Sequence, residues 1–471
     1  MKRIIIFCLI CALLLACVPT PEEDAVISKR EDNTTSAAVI DKAQTATEYR
    51  ETLTENGVTI EFSASVTAPD GDRLPSYALS AAGFSEEQLP VIVKALFGDE
   101  PIYESGEPTK EELYPQLLAA LEKLEEVKSN PNAYEGGIQS FQDDVNELQA
   151  AYNAAPDSDT LIQKTVAFAT NDEDHSGVFS CRGKSGKSTY ATLFMNTPIG
   201  ANSEEKAFLS YRNPERYAGI SCARESNPTL TVPDPVVSQE EAVKTATALV
   251  ERMGITDYRI AGYEPGVRRD PYTGWYEADP NETPILVFFT RCMDGVQVTF
   301  DAHEYAESNF GEAYAEPMPY ERLTVGVDSQ GVCYVFWNGP VTIGNCIEEN
   351  CKILSVDQAA QQAAKYLSFL YPVSDEINDA NIEGQAQSQE QLSRGSVQTS
   401  TVIIDRIVLG WMQVREGSSV KNSRLVPVWD FFGTVICEYQ SGETIVIDPG
   451  LFSLLTLDAQ TGARIDRGHG Y

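Results

Sequence analysis

Apolar and polar positions alternate from Val58 to Val66 (VTIEFSASV), a period of two that predicts a half-buried β-strand. A helical period follows. Ser85, with Gln88 three residues on, predicts a capped helix through Leu89, Val93, Leu96 and Phe97 to Gly98. Thr109 opens a second helix, with Leu113, Leu117, Leu118, Leu121, Leu124 and Val127 on one face and Asn130-Pro131 as its stop. Tyr134 to Tyr152 reads as a third, weakened early by Gly136 and Gly137. The stretches LIQKTVAFAT, GVFSCRG, STYATLFMN and KAFLSYR are then strand-like, so residues 46–230 are expected to form an N-terminal α+β domain. Asn227 to Val237 (NPTLTVPDPVV) holds three prolines and is the best internal boundary.

Beyond it the pattern repeats. SQEEAVKTATALVERMG from Ser238 and SVDQAAQQAAKYLSFLY from Ser355 both open with a capping-box pattern. At a constant offset of 117, Ala242 matches Ala359, Ala246 matches Ala363, Val250 matches Leu367 and Met253 matches Leu370. These positions trace one helical stripe, and its alanines let a helix lie close to a sheet. Each helix precedes a strand, a glycine turn, a strand, and a strand running into a hairpin turn. Those turns are Asp328-Ser329-Gln330-Gly331 and Asp458-Ala459-Gln460-Thr461-Gly462. The expected fold class is α+β: a helical/β N-terminal region, then two helix-on-antiparallel-sheet modules at 238–340 and 355–471.

The first seventeen residues change the setting. Lys2 and Arg3 precede an unbroken apolar run, Ile4 to Ala16, too short to span a bilayer but suited to a secretory leader. The run ends in Leu14-Leu15-Ala16-Cys17, which resembles the lipobox of bacterial lipoproteins. The resemblance implies that residues 1–16 are a signal peptide and that Cys17 becomes a lipidated N-terminus, anchoring the chain to the membrane on its extracytoplasmic face. Residues 17–45 are polar, contain proline and lack periodicity, so they read as a flexible tether. About 28 such residues reach roughly 30 Å.

Composition narrows the partners. The chain has 471 residues, 70 Asp and Glu against 35 Lys and Arg, and a formal charge of −35. At 42% apolar and 22% charged residues it is globular in composition. The acidic excess argues against nucleic acid as partner, because phosphate would be repelled. Of ten cysteines, Cys8 and Cys11 leave with the leader and Cys17 takes lipid. The odd number that remains leaves at least one thiol unpaired. Cys346 and Cys351, flanking a short polar loop, are the best local disulfide pair. Cys181 and Cys222 each follow a strand-like run and form a second candidate, with burial of all four as small hydrophobes the alternative.

Motifs with chemistry fail on spacing. Gly183-Lys184-Ser185-Gly186-Lys187-Ser188 has Cys181 where a phosphate loop needs glycine, so it reads as a basic hairpin turn. Asp172 to Gly177 resembles the opening of a calcium loop, but its twelfth position is Gly183 instead of Glu. Ser418-Ser419-Val420-Lys421 lies between strand-like runs and has no Lys-Thr-Gly partner. No catalytic residue, metal or cofactor is expected. One stretch does favour recognition: Tyr263, Arg268, Arg269, Tyr272, Trp275 and Tyr276 concentrate aromatic rings and guanidinium groups in the insert 262–284. A second insert, 302–321, adds Tyr305, Phe310, Tyr314 and Tyr320. Together they are candidates for a peptide or glycan groove.

A helix with spaced alanines, then strands, then Asp-x-x-Gly before a further strand, resembles PepSY-type modules of protease propeptides and of extracytoplasmic regulators of sensor kinases. The layout of lipobox, acidic tether, LPSYALSAAGFSEEQLPVIVKALFGDEPIYE and two helix–sheet modules also resembles an uncharacterised lipoprotein family of Gram-positive gut anaerobes. Neither resemblance transfers a catalytic residue. The expectation is a non-enzymatic protein-binding or regulatory lipoprotein of the cell envelope, with a glycan- or peptide-binding lipoprotein as the alternative.

Overall fold

A computed structural model describes residues 44–470, apart from 70, 105–107, 131–136, 158–160, 172–174, 186–188, 200–206, 213–219, 223–233, 236, 270–275, 278–282, 301–319, 374–394, 417–418 and 469. The leader, Cys17 and nearly all of the tether lie outside the described residues, as do most of Asn227–Val237 and the acidic start of the calcium-like loop. The fold is mixed α+β and mostly sheet, with five helices among the described residues. No described helix is long and apolar enough to cross a membrane.

In chain order the elements are β1 (Gln44–Glu55), β2 (Val58–Pro69), β3 (Arg73–Ala81), α1 (Gln88–Phe97), β4 (Ile102–Tyr103), α2 (Lys110–Ser129), α3 (Gly137–Ala154), β5 (Ala169–Asn171), β6 (Ser176–Ser185), β7 (Thr189–Pro198), β8 (Phe208–Arg212) and β9 (Ile220–Cys222). Then come α4 (Gln239–Arg252), β10 (Tyr258–Arg269), β11 (Tyr276–Glu277), β12 (Ile285–Met293), β13 (Val296–Gln297), β14 (Arg322–Asp328), β15 (Gly331–Asn338) and β16 (Val341–Lys352). The chain closes with α5 (Val356–Leu370), β17 (Val397–Glu416), β18 (Ser419–Tyr439), β19 (Thr444–Ile447), β20 (Leu455–Asp458) and β21 (Arg464–Ile465).

These strands build two sheets. The smaller runs β1-β2-β17-β18-β20-β21, with β19 and β3 also on β18 and β16 on β3. The larger runs β11-β10-β12-β14-β15-β8-β7-β6-β4, with β5, β9 and β13 attached. The stretch 46–230 is divided between them: β1, β2 and β3 belong to the smaller sheet, and β4 to β9 to the larger. The cause is visible in β2. Val58, Ile60, Phe62, Ala64 and Val66 are buried while Glu61, Ser63 and Ser65 face water, so the strand needs a sheet edge to extend. β17 supplies that edge in parallel, pairing Val402 with Ile60 and Ile404 with Phe62.

α4 and α5 cover the two sheets. Ser355 accepts from the Gln358 amide, and the Gln358 side chain returns a bond to the Ser355 amide, a complete capping box. Ser238 caps α4 through the Glu241 amide at 3.2 Å. Ala359, Ala360, Ala363 and Ala364 are fully buried, which lets α5 settle on β1, β2 and β20. Ala242 and Ala246 do the same for α4 over β12 and β14. After α4 the strands β10, β12, β14 and β15 pair in chain order; after α5 so do β17, β18, β20 and β21. Both Asp turns form: the Asp328 carboxylate accepts from the Gln330 amide at 2.7 Å, and the Asp458 carboxylate from the Gln460 and Thr461 amides at 2.9 and 2.8 Å.

α2 and α3 form a helical hairpin with its own small core of Ala120, Leu124 and Val145. The buried stripe of α2 is Leu113, Leu117, Ala120, Leu124 and Val127; Leu118 and Leu121 are exposed, so the covered arc is narrower than the one predicted from spacing.

Candidate functional site

The predicted recognition insert 262–284 falls in large part outside the described residues, Tyr272 and Trp275 included. Its beginning continues a strand. Tyr263 lies in β10 and is 41% exposed. Arg268 and Arg269 end the same strand, opposite Glu277 and Tyr276 of β11. Of the second insert, Tyr320 and Glu321 are described, while Tyr305, Phe310 and Tyr314 are not. Tyr320 donates its hydroxyl to the Arg467 carbonyl at 2.8 Å, so it fastens the C-terminal segment.

The two disulfides weighed from spacing do not form. Cys346 and Cys351 sit in one strand, β16, instead of flanking a loop; the polar residues between them belong to bulged edges of the pairing with β3. Their partners there, Tyr77 and Leu74, are three residues apart, about 10 Å along a strand at roughly 3.3 Å per residue. A disulfide needs Cα atoms about 4.4–6.8 Å apart. Cys351 is buried and Cys346 exposed, and no disulfide joins them. Cys181 of β6 and Cys222 of β9 stand on strands separated by β7, β8, β15, β14, β12 and β10, a span on the order of 30 Å. Cys181 is a buried free thiol whose pKa burial pushes up to about 12, the behaviour of a small hydrophobe.

Two charged clusters hold the sheets together. Arg291 of β12 donates to both oxygens of Glu321 at 2.9 and 2.7 Å, to Asp257, and to the Val341 carbonyl at 3.1 Å, where the chain enters β16. Its guanidinium lies 5.1 Å from the Tyr258 ring centre. Burial, with the Glu321 charge, holds the Tyr258 phenol well above its ordinary pKa. The second cluster is deeper. Arg467 bonds the fully buried Asp430, Thr456 at 2.7 Å and Thr299 at 2.8 Å, while Ser453 and Thr456 donate to Asp430 at 2.6 and 2.5 Å. Thr299 follows the larger sheet's β13 and its amide bonds the Trp411 carbonyl of β17 at 2.8 Å, so this cluster sits at the joint. Its polar atoms are occupied by one another, which suits a clasp.

The candidate site is a cleft of about 580 Å³ between α1, α4 and the end of the larger sheet. It is built from separated pieces. α1 brings Ala95, Leu96 and Phe97, with Glu100 just beyond. Thr245, Leu249 and Arg252 recur along one face of α4. Lys184 comes from β6, Tyr211 from β8, and Gln330 and Val332 from the β14–β15 turn and strand. Gly183 makes the close fit possible: a Cβ there would lie 2.6 Å from Phe97 Cδ1. The Phe97 ring can therefore lie on β6, edge-on to Tyr211 at 5.6 Å. The Asp328 turn fixes Gln330 at the rim.

Leu249, Phe97 and Tyr211 lie almost wholly buried at the bottom of the cleft, and Arg252, Glu100 and Gln330 form an exposed polar rim, while Lys184, the strand neighbour of the helix-facing Gly183, is set on the opposite face of β6. Among the described residues neither Lys184 nor Arg252 makes a hydrogen bond or an ion pair. The accessible lining of the cleft is mainly polar, and Arg252 places an unpaired positive charge there in a chain of net charge −35. Sequence reading placed Lys184 only in a basic hairpin turn. The hairpin exists as β6–β7, but nothing local reveals that α1 and α4 close over its start. The segment LPSYALSAAGFSEEQLPVIVKALFGDEPIYE proves to be the strap that leaves the smaller sheet in β3 and forms a wall of the cleft in α1.

No family model matches the chain, and no curated protein matches its sequence. Among solved structures, an uncharacterised protein from Eubacterium rectale aligns with 88% of this chain and 93% of its own, at 12% identity and a TM-score of 0.37. The C-terminal domain of Bacillus megaterium YpeB aligns with 63% of this chain and 85% of its own, at 10% identity and a TM-score of 0.22.

Proposed function

We propose that the protein is a lipid-anchored, extracytoplasmic binding component of the cell envelope, without enzymatic activity of its own, that holds a protein partner in the cleft between α1 and α4. The observation that carries the reading is the cleft itself, walled by two helices and a sheet end, with Arg252, unpartnered among the described residues, on its exposed polar rim. A tether of about 28 residues lets such a body sample roughly 30 Å above the membrane. We further propose that residues 238–340 and 355–471 are two copies of one PepSY-like module. The matched serine caps, the matched buried alanines and the shared strand order support this.

A photo-crosslinking residue at Thr245 in cells tests the cleft. The expected result is one protein adduct that disappears in Arg252→Glu. An adduct indifferent to this charge, or none, overturns the reading. Anchoring is tested separately: Cys17→Ser should leave the chain unlabelled by fatty acid, and an unprocessed form beginning at Met1 in the cytosol would overturn it.

A further inference from the structure

We infer that β1 is a contact between two copies of this chain, paired antiparallel about a two-fold axis at Tyr49. This surface belongs to the smaller sheet and does not rest on the cleft. β1 is the outermost strand there, and among the described residues only β2 pairs with it. In an antiparallel ladder alternate residues turn their N–H and C=O groups away from the neighbouring strand, so the free side of β1 is a row of donors and acceptors. Sheet edges are commonly blunted by shortness, bulges, proline or lysine. Other ends of the two sheets follow that rule: β21, β11 and β4 have two residues each, and β16 pairs with β3 through three register shifts. β1 has none of these guards. It pairs with β2 without a shift from Gln44 to Glu55, and its sequence QTATEYRETLTE contains neither proline nor lysine.

The side chains choose the partner and the register. Glu48 and Arg50 stand on one side of β1, 75% and 70% exposed, and pair with each other at 3.1 Å. Tyr49 is turned to the other side and packs edge-on against Phe62. A two-fold axis normal to the sheet keeps the buried faces of both copies on one side, so the axis falls on a residue instead of between two. With the axis at Tyr49, Glu48 of each copy faces Arg50 of the other, and the ladder runs from Gln44 through Thr54, nearly the whole strand. With the axis at Glu48, Arg50 or Glu51, two like charges meet directly across it. Axes farther out pair much less of the strand. Opposite charges across strands stabilise a pair and like charges destabilise it. One register is therefore complementary to itself, and it is also the one with the longest ladder.

Analytical ultracentrifugation of the whole secreted chain tests this at about 0.15 M salt, where repulsion between two acidic bodies is screened beyond about 8 Å. The expected result is a reversible monomer–dimer equilibrium. Glu48→Arg or Arg50→Glu alone should weaken it at least about tenfold, since each sets like charges opposite one another twice. The two exchanges together should restore it to within about threefold. Both side chains are exposed, so unchanged thermal unfolding of the variants keeps loss of pairing distinct from loss of fold. A chain that stays monomeric at every concentration overturns the contact. A dimer that ignores the single exchanges, or is lost in them and not restored by the double one, overturns this pairing. Neither result touches the adduct at Thr245, so the cleft stands or falls on its own test.

Discussion

α4 and α5 begin alike, each behind a capping serine, and each precedes four strands paired in chain order. What lies against their outer sides differs. On α5, Gln362 packs down on the β20–β21 turn; a Cβ on Gly462 would lie 3.2 Å from its Cγ. The matching position on α4, at the offset of 117, is the shorter Thr245, and the matching turn, Asp328 to Gly331, carries Gln330 just before its closing glycine. There the two line an open cleft, with α1 as the opposite wall. One arrangement of helix over sheet is thus closed by its own side chain in one place and left open in the other. The difference teaches how much one side chain matters beside a turn: Gln362 takes up room over Gly462, while the shorter Thr245, with a further helix opposite, leaves a cleft.

The charged clusters extend the comparison and give the largest expected effect. Asp430 is fully buried and Arg467 nearly so, whereas Asp257, one of the two carboxylates on Arg291, is 45% exposed. Arg467→Met should cost about 3–5 kcal/mol in chemical denaturation, since it strands a buried carboxylate. Arg291→Met should cost less, about 1–3 kcal/mol, because water can reach Asp257 and the less exposed Glu321 keeps a bond from the Val341 amide. Equal losses would mean that the two joints are equally dry. The pair Asp430→Leu and Arg467→Met together should recover much of the single-variant loss, as apolar replacements of buried ion pairs do.

Glycines at the first strand pairing of each stretch give the next effect. Both pairings are interrupted by a register shift, at Ile260/Gly262 in β10 and at Ile404/Arg406 in β17. A Cβ on Gly433, opposite the second shift, would lie 1.9 Å from the Ile403 carbonyl oxygen, and a backbone atom cannot yield without moving the strand. Gly433→Ala should therefore cost about 3 kcal/mol, the upper range for added carbon in a packed core. At Gly262 the obstacle is the tip of Leu451, 2.7 Å away, which a rotamer change can clear. Gly262→Ala should cost about 1 kcal/mol. A reversed order in urea midpoints would show that the β17–β18 pairing is the more adaptable one.

What could be read in advance was local. The serine caps, the alanine stripes, the Asp turns and the helix ending at Phe97 all lie within a few residues of the signals that specify them. What could not be read depends on pairing between distant segments. Val402 meets Ile60 across most of the chain, and no alternation in either strand names the other. The polar run between Cys346 and Cys351 resembles a turn because both sides of β16 are largely exposed there, which removes the alternation that marks a strand. The cleft draws Phe97, Lys184, Tyr211, Thr245, Arg252 and Gln330 from five separate stretches, so no single window of sequence contains it.

The smallest effect returns to the two helices. A capping serine satisfies one of the amides that a helix leaves without an internal partner, and its loss costs about 1 kcal/mol. At α5 the bond is reciprocal: Gln358 Nα–H donates to Ser355 Oγ, and Gln358 Oε1 accepts from the Ser355 amide at 3.0 Å. At α4 the Glu241 amide donates to Ser238 Oγ, but the start of that helix also carries Glu240 and Glu241, whose charges favour the N-terminal dipole whether or not the serine is present. Ser355→Ala removes the hydroxyl and loosens the side-chain bond that leaned on it, leaving Asp357 alone at that helix start, whereas Ser238→Ala removes one bond from an end that keeps two acidic side chains. Ser355→Ala should therefore lower stability by about 1 kcal/mol and Ser238→Ala by about half of that. Amide hydrogen exchange in the first turn of each helix reads the difference directly: faster exchange at Gln358 than at Glu241 in the respective variants fits this account, and the opposite order would assign the stronger cap to α4.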